Sequence, residues 1–310
     1  MRTHKQNELI RLLNQEQQRH GSFNRLSRVL GVSNATVSNC TSGKWNLISD
    51  EMLDSLLAKL GGDSRADWIV ADTINVKQMH QVINTARQSR SFWAISHKAG
   101  SGKTAAIRLY AQRFPSGVYV IQAQEWTQRQ FMVQLCRSLG IEPAKGYNSI
   151  AMMLDQVVDY FIARTSENPI LIIDEADKLK DSAKRMIIPI YNRLEDQLAC
   201  IWAGTENLAN EIRRGVRSAK KGFDEIDSRF GRTYISLVGA TIRDCEAICL
   251  ANGIGDSQVA GRIFADSRPV SAVMGGHNVK VVEDMRRIKR LIVAEKALNS
   301  QSQMKLQFAE

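Results

Sequence analysis

The chain has 310 residues, of which 44% are hydrophobic, and it carries a formal net charge of +10. This length is enough for two or three domains, and the positive charge points to an anionic partner, nucleic acid before membrane. No apolar run approaches the ~20 residues that span a bilayer, and the first residues lack the apolar core of a secretory signal. The five cysteines are scattered without a C-x₂-C pair, so we expect a cytoplasmic protein with no membrane association.

Residues 1–62 predict a small helical domain that contains a helix-turn-helix. The segment 22–45 indicates a helix from about Asn24 to Leu30, a turn at 31–33 and a second helix from Asn34. Gly31 suits the left-handed conformation of the turn, and Ser33 suits a helix N-cap. This pattern resembles the helix-turn-helix of phage repressors, whose second helix lies in a DNA groove. The residues predicted to contact DNA are mostly short and polar: Asn34, Ala35, Thr36, Ser38, Asn39 and Lys44. The alternative is a helical docking domain that does not contact DNA.

The remainder of the chain divides into three predicted parts. Residues 63–90 form a linker, marked by Gly61–Ser64, and a lead-in to the next domain. Over 91–240, helical patterns alternate with strands at FWAIS, VYVIQ, LIIDE and LACIWAG and a last strand at Thr233–Val238. Alternation of this kind predicts a parallel sheet with helices on both faces. Over 241–310 the pattern is helical, with no further strong strand.

A glycine-rich loop follows the first predicted strand. It reads HKAGSGKT over residues 97–104 and resembles a Walker A phosphate loop, whose backbone N–H groups bind polyphosphate at the positive end of a helix. The predicted nucleotide contacts are Gly100, Ser101, Gly102, Lys103 on the β- and γ-phosphates, and Thr104 on Mg²⁺. His97 replaces the first glycine of the full pattern. It either adopts an allowed backbone angle without consequence, weakens nucleotide binding, or faces the phosphates.

An acidic pair closes the apolar run Ile170–Ile173 and resembles a Walker B strand. Asp174 is expected to hold Mg²⁺, and Glu175 to polarise the attacking water of an ATPase. Because parallel strands bring ligand sites to their carboxyl ends, we expect the loop and the acidic pair to meet at one crevice. The alternative is an ordinary glycine turn and an ordinary pair of strand-end carboxylates.

The order of loop, second strand, acidic strand and LACIWAG resembles the AAA+ superfamily of ATPases. By this resemblance Thr205, with Asn207 as second choice, is a polar sensor at the end of a strand. Arg229, with Arg232 as second choice, is an arginine finger that acts on a neighbouring subunit's nucleotide; the alternative is a surface salt bridge. Lys280 takes the place of the arginine on a second-sensor helix. The predicted fold is an α/β AAA+ parallel sheet with a C-terminal helical lid and an N-terminal all-α helix-turn-helix domain.

A basic segment precedes the predicted finger. Five cations lie within nine residues: Arg213, Arg214, Arg217, Lys220 and Lys221. They suit DNA phosphates or a subunit boundary, and the alternative is a solvated surface.

The helix-turn-helix, the run TINVKQM before the loop, the AAA+ core and the short lid together resemble the family of the phage Mu B transposition protein. The resemblance implies an ATPase with ATP and Mg²⁺ as cofactors that captures double-stranded DNA with little sequence preference. It further implies ATP-dependent oligomers or filaments, delivery of the DNA to a transposase, and a phage or prophage origin. Two alternatives stay open: a helicase loader or replication initiator, and a transcription regulator switched by nucleotide.

Overall fold

The structure, a computed structural model, describes residues 2–60, 68–141 and 149–307. The predicted linker at Gly61–Ser64 lies outside the described residues. The chain splits into two compact units. The first takes Met1–Ala66, Ile83–Ser96 and Ile107–Ile235, and the second takes Asp67–Val82, His97–Ala106 and Ser236–Glu310.

Helices dominate the described residues. They are α1 (Arg2–His20), α2 (Phe23–Leu30), α3 (Asn34–Thr41), α4 (Asp50–Lys59), α5 (Ile74–Ser89), α6 (Lys103–Arg113), α7 (Gln128–Ser138), α8 (Ile150–Ile162), α9 (Asp181–Lys184), α10 (Ile187–Leu194), α11 (Glu206–Arg217), α12 (Phe223–Arg229), α13 (Ile242–Ala251), α14 (Ser257–Asp266) and α15 (Met285–Gln307). The strands are β1 (Phe92–Ser96), β2 (Val118–Gln122), β3 (Ile170–Asp174), β4 (Ala199–Gly204), β5 (Tyr234–Ile235), β6 (Val270–Met274) and β7 (His277–Val281).

A parallel sheet with strand order β2-β3-β4-β1-β5 forms the centre of the first unit. Every residue of β3 and β4 is buried, so both faces of the sheet are covered, as a parallel sheet requires. The register sets Gln122 beside Asp174 and Ser96 beside Gly204. The last residues of four strands therefore share one edge of the sheet, and the predicted α/β class is confirmed.

The last strand of this sheet is shorter than the sequence predicts. β5 comprises only Tyr234 and Ile235, whereas the predicted strand continued to Val238. The backbone N–H groups of Val238 and Gly239 donate to the side chain of Asn75. Because those donors serve a side chain, they are not available to a neighbouring strand.

The N-terminal helices contain the predicted helix-turn-helix. Gly31 ends α2 in the left-handed conformation with φ of 64°, and the Ser33 hydroxyl caps α3 by accepting from Thr36 N. Leu26, Leu30 and Val37 are buried in the small core of these helices. The predicted helix, turn and second helix are confirmed.

The helices of this region also bond to the rest of the first unit. The Arg19 guanidinium of α1 donates to the carbonyls of Ala111 (2.8 Å) and Pro115 (3.1 Å) at the end of α6. The Gln15 side chain donates to the neighbouring Gln112 carbonyl. The bonds to Ala111 and Gln112 satisfy carbonyl groups that the C-terminus of α6 leaves without an intrahelical donor.

The C-terminal part of the second unit is mostly helical, but the expectation of no further strand is wrong. β6 and β7 form an antiparallel hairpin in which Met274 pairs with His277. Its two-residue turn is Gly275–Gly276, with φ of 58° and 81°, as a tight hairpin turn requires. Lys280 therefore lies on β7, opposite Ser271, and its predicted place on a sensor helix is wrong.

Candidate functional site

The glycine loop follows β1 directly and belongs to the second unit. Gly100 and Gly102 have φ of 82° and 89°, which side-chain-bearing residues rarely adopt. A Cβ on Gly100 would lie 2.0 Å from Asp284 Oδ1. The loop also accepts a backbone hydrogen bond from Met285 N at Gly100 O, at 2.9 Å. Both glycines are therefore needed for the observed loop.

Lys103, the first residue of α6, folds back into this loop. Its ammonium donates to the carbonyls of His97 (2.7 Å) and Lys98 (2.9 Å) and to the Ser101 hydroxyl (3.1 Å). The side chain is buried, and Thr104 follows it as the second residue of the helix. A cation held among backbone carbonyls at a helix N-terminus suits an incoming polyphosphate, which offers stronger acceptors.

His97 occupies the position where the full loop pattern has glycine. It is not among the residues with positive φ, so it sits at an angle open to any residue. Its Nδ1 lies 2.9 Å from Ser236 Oγ. The prediction that His97 adopts an allowed backbone angle is thus confirmed. Its effect on nucleotide affinity stays a prediction.

The acidic pair lies at the carboxyl edge of the sheet in the first unit. Asp174 ends β3, is 3% exposed, and accepts from Glu175 N through Oδ1 at 3.0 Å. Glu175 has φ of 56° and its Oε2 accepts from Lys178 Nζ (2.7 Å) and Gln122 Nε2 (3.1 Å). Burial by itself raises the pKa of Glu175, but these two hydrogen bonds bring it below its ordinary value. The carboxylate is therefore ionised at neutral pH.

Thr205, the predicted sensor, is bonded to a carboxylate that the sequence did not reveal. Its hydroxyl donates to Asp177 Oδ2 at 2.6 Å, and its N–H donates to Asp177 Oδ1 at 3.2 Å. The hydroxyl also accepts from Asn207 N at 3.3 Å as the cap of α11. Because its single proton goes to Asp177, Thr205 cannot at the same time donate to a phosphate. The only sequence signal for Asp177 is its place in the acidic run after β3.

Arg229 and Arg232, the two candidates for the arginine finger, have different surroundings. Arg229 donates to Asn192 Oδ1 at 2.8 Å, and its guanidinium lies 4.7 Å from the ring centre of Tyr191. Arg232 pairs with Asp224 at 2.9 Å and Asp227 at 3.4 Å. Arg229 forms no ion pair with any residue that the structure describes. Of the two, Arg229 is the one whose charge is not neutralised inside its own unit.

The basic segment lies on and after α11, and all five of its cations are exposed. Lys220 pairs with Asp181, and the Arg213 guanidinium lies 5.0 Å from the ring centre of Tyr234. Neither Arg217 nor Lys221 has an ion-pair partner within residues 2–60, 68–141 and 149–307. The segment thus presents a cationic surface, of which Lys220 is already partly neutralised.

The predicted DNA face of the helix-turn-helix is accessible. Asn34, Ser38 and Lys44 are exposed, and Thr36 and Asn39 are partly exposed. The Thr36 hydroxyl is bonded to the Ser33 hydroxyl at 2.8 Å. Thr36 therefore supports the start of α3, while Asn34 and Ser38 have solvent-facing polar groups.

The described residues show neither a membrane-crossing helix nor a metal cluster. No helix there is both long and apolar enough to pass through a bilayer. No group of three or more His, Cys, Asp or Glu side chains lies close enough to hold a metal ion within the same described ranges.

Comparisons with known proteins identify the core. Residues 86–211 match the family model described as an AAA domain. This stretch contains the glycine loop, the acidic pair and strands β1–β4 of the parallel sheet. Together with the sheet order, the match confirms the predicted α/β AAA+ fold.

No curated protein matches the chain. Among solved structures, Cdc6p from Pyrobaculum aerophilum is 13% identical with a TM-score of 0.45, covering 65% of this chain and 63% of that chain. Two structures of Thermotoga maritima RuvB, a mutant and one described as a Holliday junction branch migration motor, are 15% identical, with TM-scores of 0.39 and 0.35. They cover 64% of this chain and 58% and 62% of their own. The chain spans about three fifths of the length of these solved chains.

Proposed function

We propose that this protein is an ATPase that binds double-stranded DNA in an ATP-dependent manner. The observation that carries the proposal is the buried Lys103 ammonium, held among loop carbonyls at the start of α6. This arrangement directly follows β1 of a parallel sheet, and β3 of the same sheet ends in Asp174, which Glu175 follows. A glycine loop, a lysine and a strand-end carboxylate pair are the parts that ATP hydrolysis uses.

The residues fit a nucleotide with Mg²⁺. The Thr104 hydroxyl and the buried Asp174 carboxylate offer the oxygen ligands that Mg²⁺ prefers. Mg²⁺ is usually held by one or two protein groups together with phosphate oxygens. When bound, the ion neutralises charge on the phosphates.

Each residue then has a defined role. Lys103 exchanges its bonds to the His97 and Lys98 carbonyls for phosphate oxygens. Glu175, already ionised, is able to accept a proton from water once it leaves Lys178 and Gln122. We propose Arg229 as the residue that stabilises negative charge in a neighbouring subunit, because Arg232 is held by two carboxylates of its own unit.

DNA binding is proposed from two separate surfaces. The helix-turn-helix presents α3 with exposed polar side chains and few groups that discriminate bases. The basic segment presents exposed cations, which suit backbone phosphates. Both properties favour binding through phosphates, with little sequence preference.

The finer proposal is that the protein captures target DNA as an ATP-dependent oligomer or filament and delivers it to a transposase, stimulating strand transfer. It is supported by the order of elements along the chain, with a helix-turn-helix before an AAA-type core and a helical C-terminal region. The test is a pull-down with this protein as bait, with and without ATP, from cells that carry the genes next to its own. Recovery of a transposase supports the proposal, and recovery of a replicative helicase favours a helicase loader.

A nucleotide-switched transcription regulator is the second candidate, and the well-formed helix-turn-helix favours it. The two differ in how they bind DNA. A regulator would bind one defined operator tightly at high salt without ATP and would show negligible DNA-stimulated turnover. Binding to two unrelated duplexes, at two salt concentrations and with and without ATP, separates the candidates.

A further inference from the structure

The run TINVKQM, which precedes the glycine loop in sequence, contains an asparagine whose side chain is buried. Asn75 is the second residue of α5 and is 2% exposed. Its amide nitrogen donates to Ser101 O at 3.1 Å. Its amide oxygen accepts from Val238 N and Gly239 N, each at 3.1 Å. One buried side chain thus joins the glycine loop to the segment after β5, and all of these residues lie in the second unit.

The segment that bonds to Asn75, residues 236–239, is held by further contacts. Gly239 has φ of 115°, and a Cβ there would lie 3.1 Å from Val281 Cβ. The neighbouring Ser236 hydroxyl lies 2.9 Å from His97 Nδ1 at the start of the loop. The glycine loop is therefore tied to residues 236–239 at two points, directly through His97 and through the amide of Asn75.

The bond to Ser101 bears on the part of the loop that faces phosphate. Ser101 lies between Gly100 and Gly102, the two residues with the greatest backbone freedom. In a planar trans peptide, the carbonyl of one residue and the N–H of the next point in opposite directions. Holding the Ser101 carbonyl therefore fixes the direction of the Gly102 N–H, one of the donors that a phosphate loop offers.

We propose that Asn75 is a positioning residue of the phosphate loop, which fixes the Gly102 N–H for phosphate by holding the Ser101 carbonyl. This inference rests on the proposed nucleotide-binding function. It assigns a role to the TINVKQM run, for which the sequence alone offered only a resemblance.

Asn75→Asp tests the inference with little change in shape. The carboxylate keeps an acceptor for Val238 N and Gly239 N, but it places a second acceptor against Ser101 O. Asn252→Asp is the matched control. Asn252 is 3% exposed, accepts from Ile69 N at 3.0 Å and donates to Ile69 O (3.0 Å) and Ile248 O (2.8 Å), also within the second unit. Both substitutions replace a buried donor by an acceptor, so both should lower the melting temperature.

Two measurements separate a positioning role from a structural one. By calorimetric titration, Asn75→Asp should weaken ATP binding by about five- to tenfold, the range of one lost hydrogen bond, while Asn252→Asp should change it by less than about twofold. By hydrogen exchange without nucleotide, the peptide covering 97–104 should exchange faster in Asn75→Asp than in wild-type protein, and not in Asn252→Asp. Asn75→Ala, which removes the donor without adding an acceptor, serves if Asn75→Asp does not fold.

The outcomes distinguish the inference from the function on which it rests. Equal loss of ATP affinity in the two Asp variants, or unchanged exchange of residues 97–104 in the Asn75 variants, would overturn the positioning role. Faster exchange in the Asn75 variants, together with no ATP binding by wild-type protein, would support the loop contact and overturn the proposed function instead.

Discussion

Neutralising Arg217 and Lys221 should make DNA binding markedly less sensitive to salt. Both side chains are exposed, and neither has an ion-pair partner among the described residues. Each phosphate contact contributes about 0.9 to the slope of log affinity against log salt. The double variant Arg217→Ala/Lys221→Ala should therefore flatten the slope by about 1.8. Between 50 and 200 mM salt, wild-type protein should then lose about 12-fold more affinity than the variant.

The structure also sets the expectation for Lys220. Its ammonium is already paired with Asp181, so part of its charge is neutralised before DNA arrives. Lys220→Ala should therefore flatten the slope by less than about 0.9, the value of one full phosphate contact. Without the structure, Lys220 and Lys221 would be expected to contribute equally.

The assay is fluorescence anisotropy on two unrelated duplexes in the presence of ATP. Arg108→Ala/Arg137→Ala is the matched control, because it removes the same charge from two exposed positions on α6 and α7. The control should leave the slope nearly unchanged. If it flattens the slope as much as the Arg217/Lys221 variant does, net charge and not the basic segment governs binding, and the reasoning is refuted.

Lys103→Ala should remove detectable ATP binding, because it deletes the cation that the loop holds, and unchanged affinity in a calorimetric titration would show that the loop binds no phosphate. Glu175→Gln should keep ATP and DNA binding but lower turnover by about 10²–10⁴, the usual effect of losing a general base; near-normal phosphate release would rule out this base. Arg229→Ala mixed with Lys103→Ala should recover part of the turnover that each lacks, and no recovery at any protein concentration would contradict action across a subunit boundary. Gly204→Ala should reduce the free energy of unfolding by about 1–3 kcal/mol, because a Cβ there would lie 2.7 Å from Asp177 Oδ1. At Gly255 a Cβ would meet no atom within 4 Å, so Gly255→Ala should change the free energy of unfolding by no more than about 1 kcal/mol. Equal changes in the two variants, measured in the same thermal melts, would contradict steric crowding at Gly204.

The sequence predicted those features that depend on local pattern. Strands β1–β4 follow apolar runs with clear ends, and the turn between α2 and α3 follows from Gly31 and Ser33. The hairpin of β6 and β7 was missed because its glycine pair was interpreted as part of a helical lid. The sequence also overextended β5, because nothing local shows that Val238 N–H bonds to a side chain.

The supporting residues of the candidate site could not be predicted for a related reason. Asp177 contacts Thr205, 28 positions away, and Asn75 contacts Ser101, 26 positions away. Each acts through one polar side chain, which leaves no periodic signal in the chain. The glycine loop and the acidic pair could be predicted, because the residues of each motif are adjacent in the sequence.

The bonds from α1 to the end of α6 affect what can be learned by shortening the chain. Removing residues 1–62 would leave the Ala111, Gln112 and Pro115 carbonyls without the donors that Arg19 and Gln15 supply. A shortened protein would therefore report damage to the parallel-sheet core as well as loss of the proposed DNA contact. Point substitutions on α3 avoid this damage. The N-terminal helices are therefore not independent of the core, because they supply hydrogen-bond donors to the end of α6.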